Sequence, residues 1–364
     1  MIKQQLKQLA KQEAEHLFTL KPNPRPLHVG IVAALTIAST IFIAALFNQL
    51  PTGVLASLGA MIILNQPNSG TLRQRQGLMF FMGIMMISSF CLGLIAHNLP
   101  GLRTLIISFM ALSIVFIGRY LRLPPPSGMF ILMASFIAVF MPVGWDKLLY
   151  TVAIVAFGAI YAWVISLFYN LLIIRPSTQR VEPNHRYESG LLTESVIVSA
   201  FVILALEVAL WLDLSHPYWA PVSCYIIMQG INLRSMWIKQ FHRILGTGIG
   251  MFVAWYLMSI PLSDIEVAIA IFFMLVWVEI IIIRHYALGV LMVTPLTIFI
   301  AEYGGSHSVI QGAALTAHQG IIEARFVDTV IGCGIALLGG VVMHSTWLRQ
   351  PMMNLETKLL KATK

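Results

Sequence analysis

The sequence predicts an all-α membrane protein, with about twelve transmembrane helices forming two six-helix parallel repeats, some of them short or broken. Three observations predict it. Charged residues make up 10% of the chain and the mean hydropathy is +0.82, whereas soluble domains carry roughly 25% charge. A soluble chain of 364 residues could not solvate its surface with so few charges. Apolar runs recur along the whole length with short polar breaks between them, and Lys and Arg gather in alternate breaks, as the positive-inside bias requires. That bias also explains the net charge of +8. No block interleaves Lys or Arg with aromatics, so no nucleic-acid partner is expected.

Residues 1–27 read as a cytoplasmic amphipathic segment. Ile2, Leu6, Leu9, Leu17 and Phe18 recur at helical spacing with Lys3, Lys7 and Lys11 between them, which suits a helix lying on the membrane surface. KPNPRP at Lys21–Pro26 ends it, because proline removes an amide donor and restricts its predecessor. No cleavable signal is expected, since the first apolar run starts only near His28, behind this Lys-rich stretch.

The first repeat, 28–175, holds apolar spans near 28–49, 51–65, 77–97, 102–118, 128–143 and 148–174. A polar cytoplasmic linker follows at 176–190. The second repeat, 191–348, holds spans near 193–214, 217–230, 244–262, 265–283, 287–304 and 327–347, and a cytoplasmic tail closes the chain at 349–364. A helix needs about 20 apolar residues to cross the hydrocarbon core. Spans two, five and eight fall short, so they are expected to be tilted, enclosed by other helices, or broken.

Orientation follows from the basic residues. Twelve spans with both termini cytoplasmic put Arg73, Arg75, Arg119, Arg122, Arg175, Arg180, Arg186, Arg234, Lys239, Arg243 and Arg284 in internal loops. Only Arg103, Lys147 and Arg325 then fall in external ones. Dropping one short span would invert everything downstream and spoil that asymmetry. Six is even, so both halves enter from the same side and are parallel repeats about an axis along the membrane normal. No polar segment is long enough to fold around a core of its own.

Two stretches stand out. His216–Gly250, HPYWAPVSCYIIMQGINLRSMWIKQFHRILGTGIG, is a short apolar segment, a basic loop and a Gly-rich return. Leu50–Gly83 is its weaker echo. Short apolar segments at matching places in two halves are how many transporters build a binding site. HPYWAP at His216–Pro221, with Arg243, Gly246, Thr247 and Gly250 in the pattern R-x-x-G-T-x-x-G, resembles the fusaric acid resistance-like (FUSC) family of inner-membrane proteins. That family includes bacterial aromatic acid exporters, and plant aluminium-activated malate transporters are distantly similar. The resemblance is best over 193–347. In the first half Gly83 stands where Gly250 does, but Gln76 and Phe80 replace the arginine and the threonine. The resemblance implies a bacterial inner-membrane protein that moves small, often aromatic, organic anions outward. Many larger relatives carry sizeable cytoplasmic domains, and none is expected in this sequence.

Candidate substrate-binding residues are Tyr218, Trp219, Gln229, Asn232, Arg234, Arg243, Asn65 and Arg73. A guanidinium grips a carboxylate with two prongs, although Arg234, Lys239, Arg73 and Arg75 read more readily as headgroup anchors. Tyr218 and Trp219 offer rings for stacking or simply belong to an interfacial aromatic belt. The amides of Asn65, Gln229 and Asn232 suit either a ligand carboxylate or freed backbone groups. Gly246, Thr247 and Gly250 form a small-residue face for close helix packing. Glu207 and Glu279, acids within spans, are the candidate proton-coupling groups. Glu194, Glu302, Asp328, His28 and His344 fall near span ends, where solvent is close, and carry no functional expectation.

Cys91, Cys224 and Cys333 lie scattered in apolar runs, which argues against a disulfide framework or a metal site. No Walker A pattern is present, and GTGIG at Gly246–Gly250 opens an apolar span rather than a helix after a strand. The chain is therefore expected to be no enzyme and to need no cofactor or metal. The leading function is secondary efflux of small organic, aromatic acids. An organic-anion channel and a non-transport membrane scaffold are the alternatives. Its expected partners are the lipid bilayer and a small organic anion, with a homo-oligomer or a periplasmic adaptor left open.

Overall fold

The structure, a computed structural model, describes residues 26–67, 69–123, 126–173, 190–230, 232–304 and 315–362. The segment expected at 1–27 and the linker expected at 176–190 fall outside these except for their last residues, as do Arg175, Arg180 and Arg186. Among the described residues every regular element is a helix. In chain order they are α1 (Leu27–Leu46), α2 (Leu50–Ala60, prolonged by a 3-10 turn over Met61–Asn65), α3 (Leu72–Asn98), α4 (Arg103–Tyr120), α5 (Met129–Phe140) and α6 (Trp145–Leu172). There follow α7 (Leu191–Trp211), α8 (Trp219–Met228), α9 (Leu233–Met258), α10 (Asp264–Ile281), α11 (Tyr286–Gly304), α12 (Leu315–His344) and α13 (Thr346–Ala362). A helix lies over each apolar run of the sequence. The stretch expected as a plain tail is itself mostly helix α13.

Local chemistry sets the helix starts. Thr71 and Asn232 open α3 and α9 with capping boxes, their side chains accepting from the backbone N–H of Gln74 and Ser235. Ser263 does the same for α10. Pro26 precedes α1 and Pro51 stands in the first turn of α2, where a missing amide costs nothing. By length and composition α1, α3, α4, α6, α7 and α12 can each cross a membrane. The apolar helices α2, α5, α8 and α11 are shorter.

Long and short helices bury different things. All ten residues of α8 are buried, whereas α4 and α6 turn large apolar side chains outward: Leu105 is 69% exposed and Leu149 is 79% exposed. Such faces belong in lipid. The short helices are lodged between longer ones, α2 against α1 and α6, α8 against α7 and α12. A helix enclosed in this way need not span the hydrocarbon itself.

Glycines permit the tightest of these contacts. A Cβ on Gly158 of α6 would lie 1.9 Å from the Ala56 carbonyl oxygen of α2, and one on Gly332 of α12 would lie 2.2 Å from that of Ala220 in α8. The packing of α2 on α6, of α3 on α5 and α6, and of α4 on α7 recurs as α8 on α12, α9 on α11 and α12, and α10 on α1. Each helix number advances by six, counted cyclically.

Candidate functional site

A cavity of about 870 Å³ opens among the four short helices, with α9, α10 and α12 closing its sides. Its wall is mainly apolar, built from Val54 and Leu58 of α2, Met133 and Phe140 of α5, Val222 and Ile226 of α8, and Val290 and Val293 of α11. Into this wall come three cations, Lys239 and Arg243 of α9 and Arg325 of α12.

Each cation is fixed by the fold. Arg243 is 3% exposed; its Nη1 donates to the Tyr286 hydroxyl at 3.2 Å and its Nη2 to Ser223 Oγ at 3.0 Å. Lys239 Nζ donates to the Ile226 carbonyl at 2.8 Å and lies 5.5 Å from the centre of the Tyr286 ring. The Arg325 guanidinium lies 3.6 Å above the centre of the Trp219 ring, a cation–π contact. Its Nη2 is 3.5 Å from Thr297 Oγ1.

These groups are only partly satisfied. Arg243 Nε, Arg325 Nε and Nη1, and Gln229 Nε2 are buried with no hydrogen-bond partner. An unpaired buried donor costs about 1–3 kcal/mol, more when charged. Four such nitrogens on residues of one cavity wall form a donor set that a small anion would complete. The apolar remainder suits the organic part of such an anion.

The structure brings together some of the expected residues and not others. Tyr218, Trp219, Gln229, Arg243 and Glu279 line the cavity. Tyr218 packs against Phe140, ring centres 6.1 Å apart, and against Trp219, 5.1 Å apart. Asn232 is used to cap α9, its Oδ1 accepting from Ser235 N at 2.8 Å. Arg234 and Arg73 sit exposed in the first turns of α9 and α3, away from the cavity. The inward cation of α3 is Arg75 instead, 3% exposed, donating from Nη1 to Asn170 Oδ1 at 3.1 Å. Asn65 ends the 3-10 turn with its Nδ2 buried and unpaired, off the cavity wall. Glu207 also lies off it, accepting from Thr104 Oγ1 of α4 at 3.0 Å. Gly246 and Gly250 face α11, where added Cβ atoms would come within 2.6 Å of the Ala287 oxygen and 2.5 Å of the Leu291 oxygen. Thr247 is buried beside them.

Arg75, Lys239 and Arg243, expected in internal loops, stand within α3 and α9 instead, and two further residues depart from the sequence reading. Arg325 was expected in an external loop, but α12 begins at Leu315 and carries Arg325 buried inside it. Asp328, one turn further on, was expected near solvent and is fully buried, with neither carboxylate oxygen hydrogen-bonded. The apolar run reads only from 327, because Arg325 interrupts it, and this set Arg325 outside the span and Asp328 at its edge. The signal that finds them is their spacing: Arg325, Asp328 and Gly332 lie three and four apart, on one face of α12. Outside the helices, between α7 and α8, His216 joins the cavity rim. Burial first, and then the charge of Arg325, hold its imidazole below the ordinary value of 6.5.

Residues 204–339 match the model of the family described as fusaric acid resistance protein-like. The resemblance carried by HPYWAP and R-x-x-G-T-x-x-G is thereby shown over this part of the chain, which contains Trp219, Lys239, Arg243 and Arg325. Across 137 residues, 37% of the chain, it is 28% identical to the Uncharacterized membrane protein YvaC of Bacillus subtilis (strain 168). The match spans 20% of that protein's length. No solved structure matches the chain.

Proposed function

We propose that this multi-pass membrane protein is a secondary exporter of small organic acids, aromatic ones among them, and that the cavity between the short helices is its substrate site. One observation carries the reading: an apolar cavity with three cations on its wall, two of them arginines with unpaired buried N–H groups and one stacked on Trp219. A carboxylate bridges Arg243 and Arg325, and the organic body lies against α2, α5 and α11. The match to the fusaric acid resistance-like family over 204–339, the part that holds Trp219, Arg243 and Arg325, supports it.

Twelve membrane passages in two parallel six-helix halves, with both termini cytoplasmic and the bacterial inner membrane as the setting, complete the proposal. Support comes from helix pairings that recur after a shift of six and from the equivalent glycine contacts of α6 on α2 and α12 on α8. In this arrangement Glu279, which lines the cavity, is the better coupling carboxylate, and Glu207, bonded to Thr104 outside it, is structural.

An anion channel is the second reading, favoured by the position of Glu207, since one of the two acids expected to couple protons does not line the cavity. Benzoate efflux from reconstituted vesicles tests the site, with currents recorded in parallel. Arg243→Ala and Arg325→Ala are each expected to weaken uptake into the site by roughly tenfold or more, the scale of a charge-assisted bond. Arg234→Ala leaves it unchanged. Equal, negligible effects of all three would remove the cavity from the transport path.

A further inference from the structure

A second cavity, of about 630 Å³, lies beside α4, α7 and α12. Its polar lining includes Arg119 of α4, Arg122 just beyond it, Glu194 in the first turn of α7, His344 and Arg349 where α12 gives way to α13, Gln229 at the end of α8, and the hydroxyls of Ser127 and Tyr225. Gln229 lines the central cavity as well, so a single side chain belongs to both walls.

Glu194 shows what this site holds. Its Oε2 accepts from Arg119 Nη1 and its Oε1 from Arg349 Nη2, so one carboxylate is gripped by guanidiniums from two different helices. The grip leaves donors over. Gln229 Nε2, His344 Nε2 and Arg349 Nε are all buried without a hydrogen-bond partner, and all three belong to residues of this wall. An internal ion pair that needed nothing more would not leave three nitrogens unpaid around a cavity.

We propose that this cavity is a second anion site, for small carboxylates, in which Glu194 is the resident competitor. A ligand carboxylate takes the place of Glu194 between Arg119 and Arg349. Arg349 Nε then completes the two-pronged contact that the shared geometry with Glu194 leaves unmade. Exchange is feasible because the pairs are not sealed: the side chains of Arg119, Glu194 and Arg349 are 30%, 26% and 32% exposed. Solvent screening at such exposure keeps the internal pairs weak enough to break. The role of the site, though not its existence, rests on the transport reading. On the expected topology Arg119, Arg122 and Arg349 stand at the cytoplasmic end, so a carboxylate bound here waits one side chain away from the central cavity.

The test is equilibrium binding of radiolabelled benzoate to the full chain in nanodiscs. The wild type is expected to show two classes of site. Glu194→Gln removes the competitor's charge and tightens the weaker class roughly tenfold, the scale of one charge-assisted hydrogen bond. Arg349→Gln abolishes that class, and neither substitution changes the stronger class. Arg243→Ala does the opposite, removing the stronger class and sparing the weaker. If Glu194→Gln does not yield folded protein, Glu194→Asp, whose shorter arm competes less well, is expected to tighten the weaker class to a smaller extent. A single class of site that responds to none of the Glu194 or Arg349 variants overturns the proposal. Loss of the Arg243 effect with the Glu194 effect retained would overturn the central-site reading alone.

Discussion

Glu356 of α13 reaches the first turn of α7, a helix that starts at Gly190 with no side-chain cap of its own. Its Oε1 accepts from the backbone N–H of Gly190 at 3.0 Å and of Leu192 at 3.3 Å. Its Oε2 accepts from the Thr193 N–H at 3.1 Å and the Thr193 hydroxyl at 2.5 Å. The residue is 3% exposed, so water does not replace these bonds cheaply. A hydrogen bond to a charged group contributes about 1.5–3 kcal/mol, and the positive end of a helix dipole adds about 0.3–1 kcal/mol. Four bonds to one carboxylate do not add. The cost of removing one partner from a buried charged cluster, about 3–5 kcal/mol, bounds the sum. Glu356→Ala is therefore expected to destabilise the protein by about 3 kcal/mol. Glu356→Gln keeps one acceptor oxygen and leaves the Thr193 N–H unmet, at about 1–2 kcal/mol. Thermal unfolding in nanodiscs, followed by tryptophan fluorescence, should rank wild type above Gln above Ala. Truncation before α13 should unfold at or below the Ala variant. An Ala variant within about 0.5 kcal/mol of wild type, the range of an ordinary surface substitution, would refute the capping argument.

Three other expectations follow from particular contacts. Gly332→Ala drives a Cβ to 2.2 Å from the Ala220 oxygen, whereas Gly334 on the same helix meets nothing within 4 Å. The first should cost about 1–3 kcal/mol by overpacking and the second should be neutral or stabilising by up to about 1 kcal/mol, read as unfolding temperatures. His216, held below 6.5 by burial and Arg325, binds protons less readily folded than unfolded. Its contribution to stability is thus full above about pH 6.5 and is lost as pH falls through the folded value; His216→Gln should flatten that acid loss in a melting series from pH 7 to pH 5. Glu279→Gln should abolish pH-dependent efflux while Glu207→Gln leaves it intact. Coupling that survives Glu279→Gln would overturn that assignment, and efflux by the wild type with no proton coupling would favour the channel.

Much of the architecture is legible in the chain because lipid asks a simple question of it. Apolar length, the low charge and the alternation of basic loops led to a helix over every run, and to the short runs that turn out to wall the cavity. The G-T-x-x-G spacing put Gly246, Thr247 and Gly250 on one helix face, and that face is the buried one; Arg243, expected at the end of a loop, joins it because α9 already starts at Leu233. Phase was harder to read. Arg73 and Arg75 are two residues apart at the start of α3, and only the turn set by the Thr71 cap decides that Arg75 points inward.

Hydropathy is a sum along the chain, so the lipid setting and the helices could be read without knowing any contact. Burial of a charge depends on what packs beside it, so it took the packed fold to bury Arg325 and Asp328 within α12 and to set Arg325 against Trp219. That fold likewise decided that a glutamate some 160 residues away caps α7. Contacts between helices distant in sequence leave no period in the chain to read, and they are what gather the cations of this protein around one cavity.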